Sequence, residues 1–197
     1  MHICVILFPD FETLDVFGPV EILGKVEDIT ISYHSQSGGL VTNSDGIAIH
    51  TSSFADIEKG SEGVLFIPGG MGTRREINNQ ELLSTLVELA KCSRYILAVC
   101  TGSALLAKIG MLDERKATSN KRSFDWVKTS SDKVHWVKQA RWVVDGKFYT
   151  SSGISAGMDM SLGFVSDVYG KEIAEQIAFR IEYNWQQDST KDDFCNQ

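Results

Sequence analysis

Apolar segments alternate with amphipathic ones along the chain, and this alternation predicts strands connected by helices. Near-continuous apolar runs lie at Ile3–Phe8, Val64–Ile67 and Tyr95–Val99, as in strands buried on both faces of a sheet. Between these runs, Asp15–Lys25 and Gln80–Cys92 carry apolar residues at helical spacing. Short apolar strands that alternate with amphipathic helices form mostly parallel sheets with helices on both faces. We therefore predict an α/β fold with a mostly parallel central sheet.

A further pair of strands and two final helices complete the predicted fold. Ile29–Ser35 alternates between apolar and polar residues and is predicted to pair with Ile47–His50, after a turn at Asp45-Gly46. Two helices close the core, with Gly170 between them as the predicted C-cap. These helices are expected over Ser155–Tyr169 and Glu172–Asn184. No repeat or linker is visible, so we predict a single domain over residues 1–197, with a polar tail that frays from about Gln186.

The charge of the chain excludes two classes of partner. The net charge is −7, with 19 Lys and Arg against 26 Asp and Glu, and the sequence has no basic cluster. Nucleic acid and acidic membrane surfaces both need clustered positive charge, so we predict that the protein binds neither. No apolar stretch approaches the ~20 residues that a membrane-spanning helix requires.

The four cysteines lack the spacing of a metal site. They fall in a strand, a helix end, a turn and the tail, without any CxxC pair: Cys4, Cys92, Cys100 and Cys195. Unpaired cysteines in such different settings are typical of a reduced compartment. We therefore predict a cytoplasmic protein that needs no metal, disulfide or other cofactor.

Three predicted loops follow the ends of strands and carry unusual residues. They are Pro9–Asp15, Pro68–Gly72 and Cys100–Ser103. In parallel sheets, ligands bind outside the carboxyl ends of the strands. We expect these loops to meet there and to form a site for a small-molecule substrate.

The loop at Cys100 has the pattern of a nucleophile elbow, in which a strand turns sharply into a helix. Such a turn pushes the central side chain outward and needs small neighbours, which Ala98 and Gly102 supply. The N-terminus of the following helix is expected to lower the pKa of the Cys100 thiol. The N–H of Thr101 is placed to stabilise an oxyanion. The alternative is that Cys100 is a small buried apolar residue, as many free cysteines are.

The other two loops offer an acid and a second backbone donor. An N–H of the Gly69-Gly70 turn could complete an oxyanion hole, although two glycines also suit a plain turn. Asp15 enters the first helix, where an aspartate often serves as an N-cap. A buried carboxyl near a thiol has a raised pKa and acts as a general acid and base. Glu12 and Asp10 are alternative acids in the same loop.

Histidine is the usual partner of a catalytic cysteine, and its placement here argues against such a pair. All four histidines lie in or beside predicted strands, outside the three loops: His2, His34, His50 and His135. The sequence therefore shows no Cys-His dyad.

Taken together, the motifs of the chain resemble those of the ThiJ/PfpI superfamily. The residues that carry this resemblance extend over nearly the full chain: Phe8–Pro19, Ile67–Gly70, Val99–Ser103, Gly110–Asp113, Ala117–Ser119, Ser151–Gly157 and Ile181–Tyr183. The resemblance implies the fold of the class I glutamine amidotransferases, a flavodoxin-like three-layer α/β sandwich. It also implies a homodimer, because members of this superfamily commonly dimerise.

Within the superfamily, the chain is similar to the isonitrile hydratase group and to the sensor domain of AraC-type regulators. The first resemblance implies an acidic residue at Asp15, the nucleophile at Cys100 and an essential neighbour at Thr101. Members with protease or deglycase activity often carry a histidine where this chain has Asn120. Its absence argues against histidine-assisted chemistry and leaves an acid–thiol pair.

Three functions remain open at this stage. The leading hypothesis is a hydratase that adds water to an isonitrile, with the Cys100 thiolate as nucleophile, Asp15 as acid and base, and N–H groups of Gly70 and Thr101 stabilising charge. The second is amide, ester or aldehyde chemistry at the same thiol. The third is a ligand or redox sensor. An AraC-type regulator would need a helix-turn-helix region after about Tyr183, and we expect none in the acidic stretch that follows.

Overall fold

An eight-stranded sheet forms the centre of the protein in the computed structural model, which describes residues 1–57 and 63–196. Two short strands, β7 and β8, pair separately. The ten strands are β1 (His2–Ile6), β2 (Thr30–Ser35), β3 (Ser37–Thr42), β4 (Ala48–Ser53), β5 (Val64–Ile67), β6 (Tyr95–Ala98), β7 (Lys116–Ala117), β8 (His135–Trp136), β9 (Trp142–Asp145) and β10 (Phe148–Ser151).

The strand order of the main sheet is β3-β4-β2-β1-β5-β6-β10-β9. The inner strands pair in parallel, whereas β3 and β9 at the two edges run antiparallel to β4 and β10. Strands β5 and β6 are buried along their whole length, apart from Tyr95 at the start of β6, as expected for strands covered on both faces. The predicted mostly parallel sheet is therefore confirmed.

Seven helices among the described residues connect and cover the strands. They are α1 (Thr13–Leu23), α2 (Thr73–Glu76), α3 (Gln80–Cys92), α4 (Gly102–Lys108), α5 (Phe124–Lys128), α6 (Ala156–Tyr169) and α7 (Lys171–Arg180). Helix α6 packs against α1 and α7, and α4 packs against α2 and α5. The architecture is the flavodoxin-like three-layer α/β sandwich that the sequence motifs imply.

The hairpin beside β2 differs from the sequence-based prediction. Strand β4 does pair with β2, but it lies antiparallel to β3, which the sequence pattern did not indicate. Two adjacent glycines, Gly38 and Gly39, have φ values of 71° and 79° within β3 and remove its alternation of apolar side chains. Strand β3 was missed because glycine supplies no side chain for such a pattern to register.

The tail does not fray, contrary to the prediction. Helix α7 ends at Arg180, and the chain then folds back along the strand-β9 edge, where the N–H of Arg141 donates to Ser189 O at 2.8 Å. The N–H of Asp192 donates to Gln139 O at 2.9 Å. Polar composition was misleading because the backbone of the tail bonds to residues 139–141, and the side chain of Asp192 is buried beside Lys121.

The described residues contain no helix long and apolar enough to span a membrane.

Candidate active site

The three predicted loops meet at the carboxyl ends of β1, β5 and β6, where backbone and side-chain hydrogen bonds join them. The N–H of Gly69 donates to Asp15 Oδ2 at 2.9 Å, and the N–H of Glu12 donates to Gly69 O at 2.9 Å. The N–H of Gly70 donates to Thr101 Oγ1 at 3.0 Å. The glycine turn is therefore bonded to both of the other loops and connects the acid to the elbow.

Close approach of the loops requires glycine at position 69. A Cβ there would lie 2.6 Å from the N atom of Thr101 and 2.9 Å from Asp15 Oδ2. Ordinary van der Waals contact needs more than 3.4 Å, so any side chain would push the elbow and the acid apart.

Cys100 adopts the strained backbone that the elbow pattern predicts. Its φ is 56°, a left-handed value that is costly for a residue with a Cβ. Its carbonyl oxygen accepts hydrogen bonds from Ser119 Oγ at 2.7 Å and Ser103 Oγ at 3.0 Å. Its N–H donates to Ser151 O at 3.2 Å. These bonds hold the strain in place.

The sulfur does not stand in an open crevice, because Cys100 keeps only 5% of its surface exposed. Burial, and next the negative charge of Asp15, raise the pKa of the Cys100 thiol well above its ordinary value. The Thr101 N–H and the side chains of Asn120 and Thr101 do lower the thiol pKa by favouring the thiolate. Their effect is smaller than the increase that burial causes. The prediction of a lowered thiol pKa is therefore wrong.

Asp15 is completely buried in the first turn of α1 and is not the N-cap of that helix, a position held by Glu12. Burial raises the pKa of Asp15 to about 7, while the Gly69 N–H opposes the shift. The nearby Glu12 raises it further, and Cys100 and the Ile154 N–H lower it. Its second oxygen, Oδ1, makes no hydrogen bond of normal geometry within the described residues. The carboxyl therefore gains or loses a proton near neutral pH.

Thr101 contacts both the sulfur of Cys100 and the residues of the glycine turn. Its N–H and its side chain both face the sulfur and favour the thiolate. Its hydroxyl also accepts a hydrogen bond from Thr73 Oγ1 at 3.0 Å and connects to the Gly70 backbone. Loss of this hydroxyl would therefore disturb both the elbow and the glycine turn.

Gly70 does not offer the free N–H that the oxyanion-hole prediction needed. That N–H already donates to Thr101 Oγ1, and the neighbouring Gly69 N–H is taken by Asp15. The sequence indicated a turn at this place but not which acceptor each amide would meet. The donors that face Cys100 are instead the Thr101 backbone and Asn120.

Asn120 is the site residue that sequence reasoning missed, since it was noted only as a missing histidine. Its Oδ1 accepts the Ser123 N–H at 3.1 Å, which leaves the Nδ2 group to donate. The side chain of Asn120 is a hydrogen-bond partner of Cys100. A Cβ at Gly153 would lie 2.1 Å from Nδ2, so the backbone there leaves room for this amide.

A cavity of about 190 Å³ opens beside these residues. Its lining includes Asn120 and Ile154, which contact Cys100 and Asp15 respectively, together with Arg122 and Phe194. Asn120 and Ile154 connect the cavity to the acid–thiol pair, which does not itself line it.

Two of the other cysteines and two histidines line a different part of the protein: Cys4, Cys92, His2 and His34. Burial raises the pKa of Cys4 to about 12, and Cys4, His2 and His34 line a separate cavity of about 520 Å³ around the amino-terminal half of the sheet. That cavity is larger, but parallel sheets bind ligands at the opposite edge. The described residues contain no group of three or more His, Cys, Asp or Glu arranged to hold a metal ion.

Comparison with known proteins places these features in one family. A family model described as DJ-1/PfpI matches residues 1–167. The isonitrile hydratase of Pseudomonas putida is 30% identical over 184 residues, which cover 93% of this chain and 78% of that protein. A crystal structure of a ThiJ/PfpI family protein from Pseudomonas syringae superimposes with a TM-score of 0.82 and 28% identity, covering 93% of this chain and 75% of that one.

A second group of relatives consists of transcriptional regulators. The HTH-type transcriptional regulator CdhR of Pseudomonas aeruginosa is 26% identical over 179 residues, which cover 88% of this chain and 52% of the regulator. The chain thus spans about half the length of that relative. On the match of the family model and of the hydratase, the chain belongs to the DJ-1/PfpI family.

Proposed function

We propose that the protein is an enzyme that hydrates small isonitriles to N-substituted formamides. The observation that carries the proposal is the pairing of the Cys100 thiol with a buried carboxyl, Asp15, whose pKa of about 7 suits proton transfer. Asn120 stands beside the sulfur as a neutral hydrogen-bond donor, so the pair works without an imidazole. The similarity to an isonitrile hydratase supports the same reaction.

In the first step, the thiol adds to the terminal carbon of R–N≡C. Asp15 accepts the thiol proton, and the sulfur of Cys100 forms a bond to the carbon. The proton then passes from Asp15 to that carbon, which gives the thioimidate R–N=CH–S–Cys. The net change is addition of one S–H across the carbon, and Asp15 returns to the carboxylate.

In the second step, water hydrolyses the thioimidate. Asp15 removes a proton from water as the oxygen attacks the carbon, and it passes that proton to the nitrogen, which gives R–NH–CH(OH)–S–Cys and restores the carboxylate. Collapse of this intermediate breaks the C–S bond and releases R–NH–CHO, while the proton of the hydroxyl returns to Cys100. The Thr101 N–H and Asn120 Nδ2 donate to the sulfur whenever it carries negative charge.

The test is to incubate the purified protein with cyclohexyl isocyanide and to follow N-cyclohexylformamide by chromatography. We expect turnover by the natural protein and by Cys92→Ala, a control that removes an exposed thiol. Cys100→Ala and Asp15→Asn should lose at least about 100-fold of the rate, the usual contribution of an acid–base or nucleophilic group. Equal turnover by Cys100→Ala would refute the proposal.

The chemistry of amides, esters or aldehydes at the same thiol is a weaker candidate. Release of an amine needs an acid that protonates the leaving nitrogen, and Asp15 would have to do so alone because Asn120 cannot supply a proton as a histidine would. Parallel assays with methylglyoxal and simple amides separate this reaction from isonitrile hydration.

Sensing is the candidate that the regulator relatives favour. In a redox sensor, hydrogen peroxide would oxidise the Cys100 thiolate to a sulfenic acid and be reduced to water. Peptide mass spectrometry after mild peroxide treatment tests this idea. Oxidation of Cys92 or Cys195 with Cys100 unmodified would exclude it.

We further propose a cytoplasmic homodimer that acts on a small molecule and does not bind nucleic acid. The four cysteines are free, as suits a reducing compartment. Leu14 and Phe17 on α1 are 37% and 41% exposed and give an apolar face for a second copy. Analytical ultracentrifugation should show a dimer, and Phe17→Glu should weaken it. In a gel-shift assay, the protein should not change the mobility of random DNA.

A further inference from the structure

The C-terminal segment of the described chain, residues 185–196, is built into the wall of the cavity beside Cys100. This segment lies beyond the part of the chain that the family model matches, residues 1–167. Its Phe194 nevertheless lines the same cavity as Asn120 and Ile154. The cavity therefore combines residues inside the span that the family model matches with a wall that lies outside that span.

Buried charges fix this wall in place. Asp192 is 2% exposed, and its carboxylate lies 3.6 Å from Lys121 Nζ and 3.9 Å from an Arg141 guanidinium nitrogen. The same carboxylate accepts the N–H of Phe194 at 3.0 Å. Lys121 follows Asn120 directly in the chain, so one ion pair connects the wall to the residue that contacts the sulfur.

Two apolar side chains face the cavity and remain unusually exposed. Phe194 is 52% exposed and Ile154 is 40% exposed, and both lie on the lining. The buried ion pair holds the aromatic ring of Phe194 in position. Covering the exposed ring with an apolar ligand removes apolar surface from water, which favours binding. These two residues therefore fit the apolar body of a small ligand.

A free positive charge completes the lining. Arg122 is exposed at the cavity and makes no ion pair or hydrogen bond within residues 1–57 and 63–196. Its neighbour Lys121 is paired with Asp192, and Arg74 is stacked on Trp126 at 4.4 Å. The guanidinium of Arg122 is thus the cation on this lining that is left to pair with an anionic group.

We propose that this cavity binds the non-reacting part of the substrate and selects a compact apolar group that ends in an anion such as a carboxylate. Phe194 and Ile154 cover the apolar part, and Arg122 pairs with the anion. This inference rests on the proposed function in taking Cys100 as the reacting group. It goes further in naming the substrate class as small isonitriles that carry a carboxylate.

The test of the charge uses thiol reagents, so that it does not depend on isonitrile turnover. Rates of alkylation at Cys100 are measured by peptide mass spectrometry with iodoacetate, an anion, and with neutral iodoacetamide. We expect Arg122→Gln to lower the iodoacetate-to-iodoacetamide rate ratio at Cys100 about three- to tenfold, the usual effect of one partly exposed ion pair. The exposed Cys92 in the same molecule is the internal reference.

The matched control is Arg180→Gln, which removes the same charge from the exposed end of α7. It should leave the ratio at Cys100 unchanged. If the rate ratio fell equally in both variants, the net charge of the protein would explain the effect, and the assignment of Arg122 would be overturned. An unchanged ratio in Arg122→Gln would overturn it as well.

The test of the apolar wall compares N-cyclohexylmaleimide with N-ethylmaleimide at Cys100. Phe194→Ala should lower the cyclohexyl-to-ethyl rate ratio about fivefold because the ring no longer covers the larger group. Phe179→Ala, which changes a phenylalanine 86% exposed on α7, should have no effect. A ratio that is unchanged or higher in Phe194→Ala would overturn the role of the wall.

Turnover of isonitriles then separates this inference from the proposed function. We expect isocyanoacetate to have a lower KM than an uncharged isonitrile of similar size, and Arg122→Gln to remove this difference in KM. Absence of turnover with both substrates, together with the expected alkylation ratios, would refute the hydratase and retain the cavity. Turnover with unaltered alkylation ratios and equal KM values would refute the cavity and retain the hydratase.

Discussion

The carboxyl of Asp15 accepts a hydrogen bond from the backbone N–H of Gly69 at 2.9 Å, across 54 residues of sequence. This bond fixes the acid to the turn after β5, and the same carboxyl is also a hydrogen-bond partner of Cys100. Its other oxygen, Oδ1, is buried and makes no hydrogen bond of normal geometry among the described residues. The backbone bond to Gly69 thus holds the carboxyl next to the sulfur.

The raised pKa of Asp15 predicts a specific pH dependence of stability. The folded protein holds the Asp15 proton up to a pKa of about 7, whereas an unfolded chain releases it near the ordinary aspartate pKa of 3.8. The folded state thus binds more protons between these values, and the contribution of Asp15 to stability falls as the pH rises from about 4 to about 7. Above about pH 7 the loss is complete, at a size on the order of 4 kcal/mol.

Asp15→Asn removes this titration while an amide oxygen can still accept the Gly69 N–H. Urea denaturation of both proteins between pH 4 and pH 8 measures the difference. We expect the variant to gain stability relative to the natural protein as the pH rises to about 7, and the gain then to level off. A difference that is constant over this range would show that Asp15 does not titrate there.

The thiol of Cys100 should be protonated and slow to react at neutral pH. Its pKa is raised by burial and then by the charge of Asp15. Alkylation by iodoacetamide should therefore be slower at Cys100 than at the exposed Cys92 at pH 7, and it should still be increasing at pH 9.

Asp15→Asn is expected to shift this alkylation profile to lower pH because it removes the negative charge beside the sulfur. Glu21→Gln, an exposed change elsewhere on α1, is the control. Peptide mass spectrometry at several pH values gives both profiles. An alkylation profile of Cys100 that coincides with that of Cys92 would contradict the raised pKa.

Asn120 should contribute to catalysis as a donor to the sulfur. Asn120→Ala removes a hydrogen bond to a charged group, worth about 1.5–3 kcal/mol, so kcat should fall about 10- to 100-fold. The thiol pKa should rise at the same time because the thiolate loses a donor. Asn78→Ala, an exposed change in the turn after α2, should alter neither.

A second variant separates this role from support of the local turn. Asn120→Asp keeps the oxygen that accepts the Ser123 N–H but replaces the donor to Cys100 by a carboxylate. It should therefore fold normally, by urea denaturation, and still lose activity. Full activity in both variants at Asn120 would leave Thr101 as the sole donor to the sulfur.

The sequence predicted the frame of this site better than its details. The apolar runs of β5 and β6 and the elbow at Cys100 are local patterns, and the structure confirms them in place. The hydrogen bonds of Gly70 and the orientation of Asn120 depend on loops far apart in sequence. The periodicity of apolar residues along the chain does not indicate which groups of distant loops will form hydrogen bonds. The raised thiol pKa was missed for the same reason, since burial is a property of the assembled core.

The structure of the C-terminal segment also could not be predicted from local sequence. Its polar composition predicted fraying, yet Asp192 is buried against Lys121. A composition rule treats each charge as solvated and cannot see that two charges 71 positions apart, by their numbering, meet in the interior. The segment is ordered because the pair and its backbone bonds offset the cost of removing both charges from water.

The final prediction concerns this buried pair. Asp192→Asn leaves the Lys121 ammonium, 8% exposed, without its opposite charge. Loss of one partner of a buried pair costs about 3–5 kcal/mol, and the separation of 3.6 Å places this pair near the lower value. Asp193→Asn is the matched control, because that neighbouring carboxylate is 76% exposed and lies 3.9 Å from an exposed lysine. It should change the free energy of unfolding by less than about 0.5 kcal/mol. Urea denaturation at pH 7 measures both variants, and equal effects would mean that Asp192 is solvated and that the tail does not depend on its charge.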